Sequence, residues 1–179
     1  KTVGTTATLA YVRQSIDTRD EFYSAEKDFW DEFGPESEEY EQEWIKALVE
    51  SPFRKDFADE YGDLLFVNAE IERKTFSPEI IPDMQKENEL VSEYDDLIAS
   101  AQIPFEGGVY TLSQMEPFME DLDDARLLAA WKARGQWYKD NQAKLDQIYD
   151  DLVKLRDGMG NKLGYGGYTQ LGYYRMERH

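Results

Sequence analysis

Metal and proton-relay chemistry lean on histidine, and this 179-residue sequence has one, His179, at its last position. A His-Glu-x-x-His zinc helix needs two imidazoles one turn apart with a glutamate as base, and a di-iron bundle needs Glu-x-x-His pairs. One histidine builds neither. Cysteine is absent, which removes disulfides, thiolate metal sites and thiol nucleophiles. There is no Gly-x-Ser-x-Gly elbow, and a Ser-His-Asp triad would have to be held rigid around a terminal residue. Gly158-Met159-Gly160 and Gly164-Tyr165-Gly166-Gly167 imitate glycine-rich loops, but a phosphate loop follows a strand and these do not. The acidic pairs Glu38-Glu39, Asp95-Asp96, Asp123-Asp124 and Asp150-Asp151 point about 100° apart on a helix. They read as solvated faces; an acid–base hydrolase needs carboxylates in different environments across a cleft. Asp121-Leu122-Asp123-Asp124 reads as a turn with an N-cap, not as a calcium loop.

What remains is aromatic. Gly164-Tyr165-Gly166-Gly167-Tyr168 and Gly172-Tyr173-Tyr174-Arg175 gather four tyrosines and an arginine. Tyrosine serves equally as an amphipathic packing residue. The functional reading is one wall of a ligand cleft built from Tyr165, Tyr173, Tyr174 and Arg175, with hydroxyls donating to peptide carbonyls and the guanidinium to a carboxylate.

The elements that must position these residues are mainly helical. Leu9, Val12, Ile16, Phe22, Phe29, Trp30 and Phe33 suit a helical face from about residue 6 to 33, broken near Asp17. Thr18 with Glu21 forms a capping box for the restart, and Gly34-Pro35 is a stop. A helix from Glu36 to Glu50 turns Tyr40, Trp44, Ala47 and Leu48 inward; Ser51-Pro52 opens the next, with a break at Gly62. Ser77-Pro78 repeats that start and leads to Ile81, Met84, Leu90, Tyr94, Leu97 and Ile98. Two β-prone runs, 103–106 and 109–112, flank Gly107-Gly108 and predict a hairpin. Ser113 with Glu116 is a second capping box; Asp123 or Asp124 starts a long helix past Met159, Gly164 caps it, and 168–176 forms one more short helix. With no internal repeat or composition shift, the expectation is all-α: a multi-helix domain spanning 1–179 with one small β-hairpin near residues 103–112.

Charge narrows the partners. Twenty Lys and Arg stand against 38 Asp and Glu, a formal net charge of −18. That excess repels phosphate backbones and anionic lipid, so neither nucleic acid nor membrane is expected. No apolar run approaches the roughly 20 residues of a membrane span, and Lys1-Thr2-Val3-Gly4-Thr5 does not open a signal peptide. The sequence begins inside what already reads as a helix, which predicts a fragment or a processed chain.

The tail residues also carry a resemblance. Lys162-Leu163-Gly164-Tyr165 and Leu171-Gly172-Tyr173-Tyr174-Arg175-Met176 look like a segment of the M3 metallopeptidases of the oligoendopeptidase F group. Ile16-Asp17-Thr18-Arg19-Asp20-Glu21-Phe22-Tyr23, Ser51-Pro52-Phe53-Arg54, residues 74–81, Ile98-Ala99-Ser100-Ala101 and Thr111-Leu112-Ser113-Gln114 agree in order and spacing. The resemblance implies a largely helical, cytoplasmic zinc endopeptidase that hydrolyses short peptides in a deep channel. In the family the zinc motif lies beyond the point where this sequence stops. The chain is therefore expected to be an internal piece of the non-catalytic, channel-forming half, inactive alone. No catalytic or metal residue is carried over: the segment has no cofactor, zinc belongs to the parent enzyme, and the partners are short peptides and the remaining catalytic half. Such a piece should expose apolar surface and be marginally stable or self-associating. The sequence departs from the family at Gly158, Gly160, Gly166 and Gly167; each interior glycine should cost about 0.5–1 kcal/mol relative to alanine and could bend the last long helix. The alternative reading is a stand-alone acidic helical binding or scaffold module without catalytic activity.

Overall fold

A computed structural model describes residues 2–178; His179, on which the metal argument turned, lies outside them. The elements are α1 (Thr2–Ile16), α2 (Glu21–Val49), α3 (Arg54–Tyr61), α4 (Leu64–Glu72), a 3-10 turn (Pro78–Ile80), α5 (Ile81–Ala99), strands β1 (Ile103–Phe105) and β2 (Gly108–Tyr110), a 3-10 helix (Ser113–Glu120), α6 (Asp124–Lys162) and α7 (Tyr168–Arg175). The all-α architecture with a single hairpin is what the patterning predicted. The chain divides into two compact units, Lys1–Lys27 with Glu89–Asp151 and Asp28–Asn88 with Leu152–His179. The divisions fall inside α2, α5 and α6, so each of those helices contributes a part to both units.

The first unit is organised by its hairpin. β1 and β2 pair antiparallel with Ile103 opposite Tyr110 and Phe105 opposite Gly108. The turn is Glu106-Gly107, both at positive φ (46° and 82°), the conformation that a two-residue hairpin loop requires. It therefore sits one residue earlier than the Gly107-Gly108 reading. Gly108 is instead the strand residue under the Tyr110 ring: a Cβ there would lie 2.6 Å from the Tyr110 hydroxyl. Alternation along β1 buries Ile103 and Phe105, which join Ala101, Leu112, Met115 and Ala130 in one apolar core. The phenyl ring of Phe118 packs 5.2 Å from Phe105 and 5.0 Å from Tyr110. At the turn, Arg126 donates to Glu106 at 2.8 Å and to Asp121 at 2.6 Å. That guanidinium holds Glu106 below the usual carboxylate range; Asp121 is lowered first by the backbone N–H of Asp123 and then by Arg126.

The second unit is held by α2, α4, α5, the end of α6 and α7. Ile80, Met159 and Leu171 form its most buried cluster, with Met84, Leu163, Tyr165 and Tyr168 against it. Here α2 contradicts the expected stop: it runs through Gly34-Pro35 without interruption. Proline has no N–H to give to the carbonyl four residues back, which is that of Asp31. The side-chain amide of Asn88, on α5, donates to the Asp31 carbonyl at 2.8 Å, and Gln85 donates to Glu32 at 2.9 Å. A neighbouring helix thus supplies the hydrogen bond that the proline removes.

Several caps also moved. Asp20 Oδ1, not Thr18, accepts from the N–H groups of Phe22 and Tyr23 and starts α2. The second capping box is Thr111 with Gln114, each side chain accepting from the other's backbone N–H (3.2 and 2.9 Å), in place of Ser113 with Glu116. The expected caps at Asp123 and Ser77 are present, at 2.9 Å to Arg126 N–H and 3.4 Å to Glu79 N–H. Gly62 (φ 88°) separates α3 from α4, and Gly164 (φ 84°) follows the end of α6. α6 remains continuous through Gly158 and Gly160. Gly160 is there for close approach: a Cβ would lie 2.1 Å from the Gly167 carbonyl oxygen.

The predicted inner faces of α1 and α2 are largely outer ones. Leu9, Val12, Ile16, Phe22, Phe29, Tyr40 and Trp44 are exposed, whereas Ala10, Gln14, Lys27, Asp31 and Ile45 are buried. Gln14 bonds Asp96 at 3.1 Å and Lys27 bonds Ser92, so polar groups are satisfied inside while large apolar ones face out. Among the described residues, no helix is long and apolar enough to cross a membrane.

Candidate functional site

α7 can stand against α6 because Gly166 and Gly167 adopt positive φ (65° and 135°) and reverse the chain within a few residues. The Asp157 carboxylate then accepts from the N–H of Tyr168 at 3.2 Å, capping α7 from the preceding helix. This local device sets the positions of all four residues singled out in the tail.

Tyr165 is half-buried. Its hydroxyl donates to the Lys74 carbonyl at 2.7 Å, and its ring meets Tyr174 edge-on at 5.6 Å. Burial, and secondarily Tyr174, raises its pKa. The Lys74 ammonium lies 5.2 Å from the centre of the Tyr174 ring, within cation–π range. Tyr173 is 51% exposed and stands outside this group. Arg175 donates through Nη1 to Glu87 at 2.9 Å and to the Tyr168 hydroxyl at 3.4 Å. Burial by itself would lower the Arg175 pKa, but the charge of Glu87, the neighbouring Tyr168 and the hydrogen bonds to both together more than offset it, and the net shift is upward. Glu87 is buried, and Arg156 reaches it from α6 at 2.6 Å. One carboxylate on α5 therefore joins α6 and α7. Among the described residues only Nη1 of Arg175 is engaged, leaving its other N–H groups free to meet a carbonyl or carboxylate.

Tyr174 and Arg175 line a cleft of about 260 Å³, together with Glu38, Glu72, Thr75, Phe76, Met84 and Glu177. Tyr165 touches it through Tyr174 and Tyr173 does not line it. At one side Glu38, Glu41 and Glu72 bring carboxylate oxygens within 4.8 Å of one another. Partial burial, then the charges of Glu38, Glu41 and Glu177, raise the Glu72 pKa. This donor set is all hard oxygen, with no imidazole or thiolate. Structural and catalytic zinc sites are built mainly on those softer donors, so these residues do not fit the zinc centre that the resemblance implies for the parent.

The sequence reading passed over Glu87 and the carboxylate trio. Glu87 had a signal: it shares a helical face with Met84 and Leu90, and a carboxylate on an apolar face calls for a buried cation. The trio had half of one, since Glu38 and Glu41 lie three apart on α2, but Glu72 comes from α4.

The model of the peptidase M3 N-terminal domain matches residues 1–76. Among solved structures, an oligoendopeptidase F is 45% identical, with a TM-score of 0.93 over 96% of this chain and 30% of its own. PZ peptidase A with an inhibitor is 44% identical, TM-score 0.93, covering 97% and 31%. An oligoendopeptidase F from Bacillus anthracis str. Ames is 44% identical, TM-score 0.94, covering 98% and 32%. Among curated proteins nothing matches. The chain thus spans about 30% of the length of the solved peptidases it resembles. The motifs of the tail, the shared fold and the N-terminal match agree: this chain belongs to the M3 peptidase family, as a segment of the oligoendopeptidase F type.

Proposed function

We propose that this chain is the non-catalytic helical portion of a zinc-dependent oligoendopeptidase, cytoplasmic, that hydrolyses short peptides, and that the segment forms part of the substrate channel as one helical domain. The observation that carries the reading is the 44–45% identity to oligoendopeptidase F structures over nearly the whole chain but under a third of theirs. The parent would hold its zinc elsewhere, polarising the scissile carbonyl and activating water there. The segment by itself is inactive.

Its contribution would be to binding. Tyr174 presents a half-buried ring and hydroxyl, Arg175 presents the donors that Glu87 leaves free, and Tyr165 fixes Tyr174 from behind. Tyr173 offers an exposed ring next to them. Such groups hold a peptide backbone or terminal carboxylate without touching the reacting atoms.

A chimera tests this. The matching segment of the Bacillus anthracis oligoendopeptidase F is replaced by this chain, and hydrolysis of internally quenched short peptides is followed. The expected result is hydrolysis by the chimera, none by the isolated 179-residue chain, and a raised KM with little change in kcat for Tyr174→Phe. A chimera that is folded by circular dichroism yet inactive overturns the proposal, as does chelator-sensitive hydrolysis by the isolated chain.

A further inference from the structure

α2, α3 and α4 leave a groove between them that shares only Glu72 with the lining of the tail cleft. Trp44, Ala47, Leu48, Phe57, Tyr61 and Leu65 line about 500 Å³ of mainly apolar hollow. Its two largest rings stand open: Trp44 is 65% exposed and Tyr61 64%. A second hollow of about 440 Å³ continues from it, sharing Trp44 and adding Tyr40, Glu41 and Glu72. Along one direction within a single compact unit, two carboxylates, Glu41 and Glu72, thus join otherwise apolar walls that include Ile45.

The charges beside the groove are unequal. Arg54 is paired to Glu70 at 2.6 Å, and Arg73 to Glu50 at 3.6 Å. Lys46 and Lys55 are the remaining exposed cations of this stretch of α2 and α3. Against them, Glu41 and Glu72 face the groove, and Asp56, Asp59 and Glu60 are exposed on α3. A second copy of this chain carries a net charge of −18 of its own and would be repelled, as would anionic lipid or nucleic acid. Charge complementarity therefore selects one kind of occupant. We infer that the groove of α2, α3 and α4 is a docking site for a peptide segment that pairs an aromatic or leucine side chain, seated against Trp44, Phe57 and Tyr61, with adjacent Lys or Arg over Glu41 and Glu72. The inference does not rest on the peptidase reading; it concerns binding by this chain alone.

The test is fluorescence anisotropy with a fluorescein-labelled nonapeptide of lysine and leucine carrying one central phenylalanine. One comparison peptide has every lysine replaced by glutamate; another has the apolar residues replaced by serine. Saturable binding of the first peptide is expected, weakening with added salt, with both comparison peptides at least about tenfold weaker. Trp44→Ala should weaken binding by about tenfold or more, as removal of a central aromatic anchor does. Glu41→Gln with Glu72→Gln should weaken it several-fold, and Tyr149→Ala, 72% exposed in the other unit, should leave it unchanged. If circular dichroism shows Trp44→Ala misfolded, Tyr61→Ala replaces it. No binding, equal binding of the glutamate or serine peptide, or indifference to both aromatic substitutions overturns the inference. So does a concentration-dependent dimer that Trp44→Ala abolishes, since the occupant would then be a second copy.

Discussion

Around the hairpin of the first unit, burial is apolar throughout: Ile103, Met115 and Ala130 are 1% exposed or less, and the charged clamp of Arg126 sits outside them. In the second unit Ile80, Met159 and Leu171 are as deeply buried, but Glu87 and Asp31 are buried with them. Packing of complementary shapes suffices in the first case. In the second, a buried carboxylate and a proline inside a helix need specific partners, and these come from distant segments: Arg156 and Arg175 for Glu87, and Asn88 for the Asp31 backbone carbonyl that Pro35 cannot serve. Buried polar groups tolerate few alternative arrangements. The surroundings of the tyrosine cleft thus depend on directional bonds where those of the hairpin do not.

Substitutions can break this contrast. Met115→Ala, at a site with no exposure, should cost about 3 kcal/mol through lost burial and a cavity, read by urea denaturation. Glu87→Gln keeps the volume and removes the charge. With both guanidiniums about one-third exposed (35% and 33%), the loss should be about 2 kcal/mol, below the range for fully buried pairs; a neutral result would mean that shape, not charge, holds the second unit. Asn88→Ala should cost about 1 kcal/mol by leaving the Asp31 carbonyl without its donor. In a Pro35→Ala background an N–H at position 35 can serve that carbonyl, so the same substitution should cost measurably less. Additivity in this double-mutant cycle would refute the compensation.

The smallest effect is the most diagnostic of charge. The Glu72 pKa is raised in the folded chain above its ordinary 4.5, so the folded state binds the proton more tightly than the unfolded one. Stability therefore falls as pH rises from the ordinary value through the raised one, and the penalty is complete above it. Glu72→Gln should raise Tm at pH 7 and leave it unchanged at pH 4. An equal increase at both values would assign the gain to something other than relief of repulsion.

Signals confined to one or two turns were legible. Asp123, Ser77, Gly62 and Gly164 lie where the chain itself dictates. Faces were not. Leu9, Val12, Ile16, Tyr40 and Trp44 form helical stripes that any periodic reading turns inward, and they are exposed. Periodicity reports that a helix has an apolar side but is silent on what covers it. In the site, the tyrosine and arginine cluster could be seen because its members are neighbours in sequence. That Glu87, itself signalled by its apolar helical face, would anchor Arg175 from 88 residues away could not.

By itself, then, the sequence determined the helical content, the hairpin, most places where helices begin and end, and the lack of a two-histidine motif in this chain. These follow from backbone sterics and caps acting over a few residues. Tertiary structure alone decided that α2 passes through Pro35, that Gly160 must be glycine, and that Tyr174 and Arg175 share a cleft with Glu38 and Glu72. Each of those depends on a donor, a backbone or a carboxylate delivered from another part of the chain, and no local pattern encodes its arrival.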